Sequence, residues 1–240
     1  MLIFGKNPIF EYLKHRPKDI KNIWTADEKI FNKIRSNYKV PIKLTDKKNI
    51  EKLLNNNKEA VHQNLAAELK MSNIFNLETV LQKISEQKKD GIILILDHIN
   101  DPQNFGAIIR TAAFFNTAAI IIAKDRQTPI NATVIKAASG MTALLNFAVV
   151  VNLNAALETL KNSGYWIYAS AAAGGENLEN VQINEPIALI VGNEGEGVSR
   201  LLVKNSDFKI TISGSTNVES LNVSVSTAIM LYHFYNKISK

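Results

Sequence analysis

Apolar residues come in short continuous runs through the second half of the chain, with polar or glycine-rich stretches between them. Such runs are typical of strands buried on both faces of a parallel sheet. They predict strands over residues 92–97, 118–123, 147–151, 165–170, 187–191 and 208–212. Helical spacing predicts helices after Asn104 and over residues 131–138, 154–162, 198–205 and a stretch ending near 238. The pattern predicts an α/β fold with a mostly parallel sheet and helices on both faces.

The first ninety residues follow a different pattern, with shorter elements and more Lys and Asn. Helices are predicted at 9–15, at 27–36 and from Asp46 to about 54, and strands at 20–24, 40–44 and within 60–69. Alternating elements of this length predict a small α/β domain over residues 1–71. The polar stretch 72–90 is interpreted as a linker, which leaves 91–240 as the larger domain.

Composition narrows the choice of partner and of chemistry. The 240 residues carry 28 Lys and Arg against 22 Asp and Glu, for a net charge of +6, which favours an acidic partner such as nucleic acid. The chain has no Cys, and its four His are not at metal-ligand spacing, so we expect no disulfide, no thiol nucleophile and no metal site. No apolar run is long enough for a membrane span and the start lacks a signal-peptide pattern, so a cytoplasmic protein without membrane contact is expected.

A glycine-rich loop follows the predicted strand at 187–191. Glycines at 192, 195 and 197 precede a predicted helix, so backbone N–H groups could approach a nucleotide-like ligand closely. The spacing is G-x-x-G-x-G, which is not the dinucleotide-binding fingerprint G-x-G-x-x-G. A plain glycine turn at the end of a strand explains the loop alone equally well.

Two further segments of the same domain carry polar groups. Asn104 is the predicted cap of a helix that contains Arg110 among small and apolar neighbours. An arginine at the edge of a core normally meets an anion, although a structural salt bridge would also explain it. The polar loop 213–222 leads into the last helix, with Ser220 or Asn222 as its cap, and capping alone is the simpler explanation. Capping does not explain why both loops, the glycine turn and Arg110 occur in one domain.

Three motifs carry a resemblance to a known family. They are residues 101–112 (DPQNFGAIIRTA), residues 189–198 (LIVGNEGEGV), and residues 210–212 (ITI) followed by 220–225 (SLNVSV). In this order they resemble the three motifs of the SpoU-type, TrmH-like RNA ribose 2′-O-methyltransferases of the SPOUT class. Residues 4–13 (FGKNPIFEYL) and His62-Gln63 resemble the substrate-binding domain of the 23S rRNA guanosine 2′-O-methyltransferases in that family.

The resemblance implies more than periodicity can show. It implies a trefoil knot in the SPOUT domain, an L30e-like fold for the N-terminal domain, a homodimer, and S-adenosylmethionine as cofactor. The cofactor would be held by residues of the second and third motifs, mainly through their backbone. These residues are Gly192, Asn193, Gly197, Ile210, Ile212 and Leu221. Thr211 departs from the family pattern, which often has Pro at this position.

The resemblance also assigns catalytic roles. A ribose 2′-hydroxyl is a poor nucleophile, so the reaction needs positioning and a proton acceptor. Arg110 would clamp the target phosphate and orient the hydroxyl, and Asn104 and Asn222 would fix Arg110 and the ribose. Glu194 would pair with Arg110 or orient the loop, and Ser220 would add a hydrogen bond. No metal is needed.

The predicted function is therefore methyl transfer from S-adenosylmethionine to a ribose 2′-hydroxyl of ribosomal RNA, with a guanosine of 23S rRNA favoured. A tRNA ribose methyltransferase is the alternative within the class. A non-catalytic RNA-binding assembly factor would keep the fold, but the motif residues Asn104, Arg110, Glu194 and Asn222 argue against it. An ordinary nucleotide-binding α/β enzyme is disfavoured by the missing dinucleotide fingerprint.

Overall fold

The structure, a computed structural model, describes residues 1–55, 61–86, 91–193, 195–215 and 220–238. Its helices in chain order are α1 Lys6–His15, α2 Glu28–Asn37, α3 Lys47–Leu53, α4 Leu77–Glu86, α5 Pro102–Phe114, α6 Ala132–Ala137, α7 Leu153–Asn162, α8 Arg200–Lys204 and α9 Val223–Ile238. Its strands are β1 Leu2–Phe4, β2 Ile20–Thr25, β3 Ile42–Leu44, β4 Leu65–Leu69, β5 Ile74–Phe75, β6 Ile93–Asp97, β7 Ala119–Ala123, β8 Phe147–Val150, β9 Trp166–Ser170, β10 Glu176–Asn177, β11 Ile187–Gly192 and β12 Phe208–Thr211. Together they form two compact units.

The first unit contains Met1–Asn73 and a later segment, Ile130–Leu144. Its sheet has the order β1-β4-β2-β3, in which β4 runs antiparallel to both neighbours and β3 runs parallel to β2. The Asp27 carboxylate caps α2 by accepting from Ile30 N, and the Asp46 carboxylate caps α3 by accepting from Asn49 N. The α/β fold predicted for the first part of the chain is confirmed.

The segment Ile130–Leu144 joins the first unit through buried contacts. Helix α6 packs against β1, and the hydroxyls of Tyr12 and Thr142 are 3.1 Å apart. The Asn73 amide donates to Thr142 O over 2.8 Å, and Arg16 Nε donates to Ala143 O over 2.8 Å. Sequence patterns did not reveal this grouping because the contacts join residues about 70 to 130 positions apart.

The predicted linker, 72–90, contains regular structure that belongs to the second unit. Strand β5 pairs in parallel with β8, and Leu77, Val80 and Ile84 of α4 are buried in that unit's core. The stretch reads as polar because α4 is amphipathic and shows only one apolar face. The assignment of RNA binding to 1–71 and of methyl transfer to 91–240 stays a prediction.

The second unit is built on a parallel sheet in the order β10-β12-β9-β11-β6-β7-β8-β5. Every pairing in this sheet is parallel, and the central strands β6 and β11 are buried along their whole length. The mostly parallel sheet predicted from the apolar runs is thereby confirmed. No helix in the described ranges has both the length and the apolar content that a membrane crossing requires.

Strand β12 occupies an unusual place in this sheet, because it lies between β9 and β10, which both precede it in the chain. From β9 the chain forms the edge strand β10, crosses to β11 on the other side of β9, and returns as β12. The trefoil knot that the resemblance implies stays a prediction. Since β6, β11, β9 and β12 are parallel, the loops that follow them leave the sheet at one edge.

Candidate active site

The glycine loop leaves the carboxyl end of β11 as a tight turn. A side chain at Gly192 would not fit, because a Cβ there would lie 2.1 Å from the carbonyl carbon of Gly197. The turn is closed by Asn193, whose side-chain oxygen accepts from Gly195 N at 2.9 Å and from Glu196 N at 2.8 Å. Gly197 has a φ of 68° and donates its N–H to Asn193 O. The Asn193 side chain therefore shapes the loop, and the loop presents backbone with few bulky side chains.

Asp97 anchors this loop, a role that sequence analysis did not assign. It ends β6 opposite Gly192, is 1% exposed, and its Oδ2 accepts from Ser199 N at 2.7 Å. Its Oδ1 lies 2.7 Å from Nδ1 of His98. A buried carboxylate at a strand end is costly unless it is hydrogen-bonded, so the aspartate that terminates an apolar run was the signal available in the sequence.

Helix α5 begins at Pro102, two residues before its predicted cap, so the assignment of Asn104 as N-cap was wrong. Asp101 caps the helix instead, since its carboxylate accepts from Gln103 N and Asn104 N, and Pro102 occupies the first turn. The Asn104 side chain therefore does not cap α5. Its Oδ1 accepts a 3.0 Å hydrogen bond from Nδ2 of Asn222.

Asn222 fixes the start of α9. Its Oδ1 accepts from the backbone N–H of Ser224 at 2.9 Å and from the Ser224 hydroxyl at 2.6 Å. The prediction that Asn222 could cap this helix is confirmed, and one side chain joins the first and third motifs. Ser220 and Leu221, directly before Asn222, are both exposed.

Arg110 differs from the expectation of a semi-buried side chain, because it is exposed. The buried face of α5 consists of Phe105, Ile108, Ile109 and Ala112, which leaves the guanidinium outside the core. By helix geometry Arg110 stands about 9 Å along the axis from Asn104 and about 120° around it. Within the described part of the chain no carboxylate lies within 4.0 Å of Arg110, and Glu194, its predicted partner, lies outside the described residues.

The third motif leaves the sheet at the end of β12. Ile210 is buried and its carbonyl accepts from Ala171 N at 2.9 Å, so this backbone group already has a partner in the fold. Thr211 is held on both sides, since its hydroxyl accepts from Gly175 N and its carbonyl accepts from Leu178 N. Ile212 follows the strand and is half-buried. Hydrogen bonds from Gly175 N and Leu178 N thus fix Thr211 at the end of β12, the position where the family pattern often has Pro.

Metal chemistry has no candidate ligand set in the part of the chain that the structure describes. There, His, Asp and Glu side chains do not form any group of three or more that could hold a metal ion. The structure instead joins the side-chain amides of Asn104 and Asn222, and it orders the glycine loop through the side chain of Asn193.

Comparison with known proteins supports the motif analysis. Residues 91–232 match the model of the SpoU rRNA Methylase family, and residues 2–75 match the model described as RNA 2′-O ribose methyltransferase substrate binding. The chain is 38% identical over 197 residues to an uncharacterized tRNA/rRNA methyltransferase of Borreliella burgdorferi, covering 79% of this chain and 85% of that protein. It is 30% identical over 237 residues to the 23S rRNA (guanosine-2′-O-)-methyltransferase RlmB of Pseudomonas aeruginosa, covering 96% and 94%.

The fold is also similar to that of solved SpoU methyltransferases. The SpoU methyltransferase AviRb of Streptomyces viridochromogenes, solved in complex with the cofactor AdoMet, superposes with a TM-score of 0.82 over 100% of this chain and 91% of its own, at 17% identity. The resemblance inferred from the three motifs is confirmed.

Proposed function

Because the chain belongs to the SpoU rRNA methylase family, we propose that it methylates a ribose 2′-hydroxyl of ribosomal RNA, at a guanosine of 23S rRNA. It is an S-adenosylmethionine-dependent RNA methyltransferase. The observation that carries the proposal is the Asn104–Asn222 hydrogen bond, which joins the first and third motifs of the family at one edge of the sheet. An rRNA substrate also implies action in the cytoplasm.

The loops at this edge suit S-adenosylmethionine. When bound, that group would supply an electrophilic methyl: the ribose oxygen would form a bond to the methyl carbon as the carbon–sulfur bond breaks, with neutral S-adenosylhomocysteine as the leaving group. A turn in which Gly192 abuts Gly197 leaves backbone groups accessible, and the apolar Leu221 side chain is 45% exposed beside Asn222. An apolar surface and a loop with few bulky side chains fit an adenosine better than they fit a highly charged ligand. Gly192, Gly197, Ile212 and Leu221 would hold the cofactor, and Asn193 would set the shape of the loop.

Arg110 would act on the RNA as a clamp. Its guanidinium stays protonated, since arginine has a pKa above about 12, so it does not serve as the base. A planar, exposed guanidinium matches the geometry of a phosphate, which would position the ribose for attack. The phosphate or a polarised water would take the hydroxyl proton. Asn104 and Asn222 would orient the ribose, while the roles of Glu194 and Ser220 rest on the resemblance alone.

A second copy of the chain would complete this site. Four aromatic side chains cluster at the end of α5 and along α9. The ring of Phe115 contacts the rings of Phe114, Tyr232 and Tyr235. Phe114 is 80% exposed and Tyr232 is 59% exposed, which is unusual for large apolar rings without a partner. Arg110 is one helical turn from Phe114 on the same face of α5. A homodimer packed through these rings would therefore bring Arg110 near the partner's cofactor loops.

The names of relatives that align over nearly the whole chain support ribosomal RNA as the substrate, although a relative named as a TrmH family tRNA/rRNA methyltransferase also aligns with 98% of it. The relative named as a 23S rRNA methyltransferase aligns with 96% of this chain, including the part that matches the substrate-binding model. The tRNA alternative remains, since another relative is named as a tRNA/rRNA methyltransferase.

The decisive experiment measures transfer of labelled methyl from S-adenosylmethionine to unmodified 23S rRNA, 16S rRNA and tRNA, with the modified nucleotide mapped. Label on the ribose of one 23S guanosine is expected. Label on tRNA alone would refute the substrate and keep the chemistry, and no label on any RNA, including precursor ribosomal particles, would refute the proposal. Arg110→Ala should abolish transfer, while Arg110→Lys should retain RNA binding with a much lower rate because it keeps the charge and loses the planar fork.

A further inference from the structure

The first unit contains an open cleft. It has a volume of about 440 Å³ and lies between β2, β3 and α3. Trp24 of β2 forms one wall, and it stands beside Lys43 of β3 because the two residues are paired in the parallel register. Leu44 and the α3 residue Lys52 complete the part of the lining that matters here. We call this feature the Trp24 cleft.

Its walls combine a flat aromatic ring with an uncovered apolar side chain. Trp24 is half-buried, so the neighbouring structure holds the indole while part of it remains accessible. Leu44 is 48% exposed on the adjacent strand. The volume falls within the range of about 300–1,000 Å³ that is usual for small-ligand sites. These surfaces would favour a flat ring that stacks on the indole.

The charge around the cleft favours an anion. Lys43 and Lys52 are both exposed, and in the described ranges no carboxylate lies within 4.0 Å of either ammonium group. The nearby acids have other partners, because Glu51 pairs with Lys47 at 3.6 Å and Asp46 caps α3. A flat apolar surface flanked by two lysines has the chemistry that recognises a nucleotide.

We propose that the Trp24 cleft binds an unpaired nucleotide of the RNA substrate, with its base stacked on the indole and its flanking phosphates at Lys43 and Lys52. The inference rests on the proposed function only in taking RNA as the substrate. The nucleotide must be unpaired, because a base inside a duplex is already stacked on its neighbours and A-form RNA hides its major-groove edges.

The cleft has little means of reading the identity of the base. The side-chain NH₂ of Asn49, the amide that lines it, already donates to Thr45 Oγ1 and to Asp46 Oδ2, both at 3.1 Å. Stacking tolerates every base, since each has a π-face. The Trp24 cleft therefore holds an unpaired nucleotide of the substrate without selecting its base.

Tryptophan fluorescence tests this directly. The chain has two tryptophans, and Trp166 begins β9 at the edge of the sheet opposite the cofactor loops, so Trp166→Phe leaves Trp24 as the sole reporter. A single-stranded oligoribonucleotide should quench Trp24 emission at moderate salt, whereas the same strand in a perfect duplex should not. Trp24→Ala should weaken single-strand binding roughly tenfold, and Trp24→Phe should weaken it less.

Kinetics on the full-length enzyme give the second test. Trp24→Ala and the pair Lys43→Ala and Lys52→Ala should raise KM for RNA about tenfold and leave kcat at saturating RNA unchanged. Lys18→Ala is the matched control, because Lys18 is exposed and precedes β2 at the end opposite Trp24, and its KM should not change.

The outcomes separate the two proposals. Quenching by single strands without methylation of any RNA would support the Trp24 cleft and refute the proposed function. Methylation with no quenching, together with an unchanged KM in Trp24→Ala, would support the proposed function and refute the Trp24 cleft as a nucleotide site. Equal quenching by single-stranded and duplex RNA would also overturn the inference. Circular dichroism of Trp24→Ala and of the double lysine variant checks that any loss is not due to unfolding.

Discussion

The side-chain amide of Asn222 donates a 3.0 Å hydrogen bond to the side-chain oxygen of Asn104, although 118 positions separate the two residues. Asn222 uses its own oxygen at the same time to cap α9 through Ser224 N. One side chain thus sets the start of the last helix and holds the first turn of α5. Its two functional groups can be altered separately.

Asn222→Asp retains the oxygen that caps α9 and removes the amide that donates to Asn104. We expect kcat/KM for RNA methylation to fall about tenfold or more, the scale of one lost hydrogen bond at a reacting centre. The melting temperature should change by less than about 2 °C, because the pair is exposed. Asn236→Asp on the same helix is the matched charge control, and equal activity of the two variants would show that the Asn104 contact is unimportant.

Gly192→Ala should distort the glycine loop. The new Cβ would lie 2.1 Å from the Gly197 carbonyl carbon and 2.3 Å from Val198 N, so the backbone must move. We expect a loss of about 1–3 kcal/mol of stability and of S-adenosylmethionine binding, measured by denaturant unfolding and by calorimetric titration. Gly195→Ala is the control, because its Cβ would meet only Asn193 Oδ1 at 3.5 Å. Normal S-adenosylmethionine binding by Gly192→Ala would show that this loop does not contribute to the cofactor site.

His233 on α9 should make the fold sensitive to mild acid. Burial lowers the pKa of His233 below its usual 6.5. The charge of Lys237 lowers this pKa further, and the charge of Glu179 opposes the shift. The unfolded chain therefore binds this proton more readily, so stability is lost as pH falls below about 6.5 towards the lower folded-state pKa. His233→Gln removes this titrating group. From pH 7 to pH 5, the free energy of unfolding should therefore fall more in the wild type than in the variant. A difference that is constant with pH would contradict this.

Tyr12 should couple the segment Ile130–Leu144 to the rest of the first unit. Its buried hydroxyl lies 3.1 Å from that of Thr142, and burial raises the pKa of Tyr12 to about 12. Tyr12→Phe should cost about 1 kcal/mol, and a double-mutant cycle with Thr142→Val should show coupling of similar size. In wild type, stability should also fall as pH rises above 10, where the tyrosine of the unfolded chain ionises first. Strictly additive losses would indicate that the hydroxyl pair contributes nothing.

Sequence patterns predicted the strands of the second unit well, because each is a run of apolar residues buried on both faces. The strands at β6, β7 and β11 begin or end within one residue of their predicted bounds. The cap Asp46 was also predictable, since a capping side chain contacts N–H groups only two or three residues away.

Other features depend on partners far along the chain. Asn104 has the residue type of a cap, but Asp101 caps α5 and Asn104 contacts Asn222, 118 positions later. Arg110 looked semi-buried because its neighbours are apolar, yet a helix turns its residues to different faces. The role of Asp97 depends on Ser199, about a hundred positions later, and no local pattern records that contact.

The position of β12 between β9 and β10 also constrains when this protein can become active. During translation at about 5–20 residues per second, β9, β10 and β11 emerge before the strand that must be placed among them. Asn222, which closes the contact with Asn104, emerges later still. A nascent chain stalled before residue 208 would carry the complete glycine loop and the whole Trp24 cleft but no assembled centre. The Asn104–Asn222 contact therefore forms only after the residues of the Trp24 cleft have been synthesised.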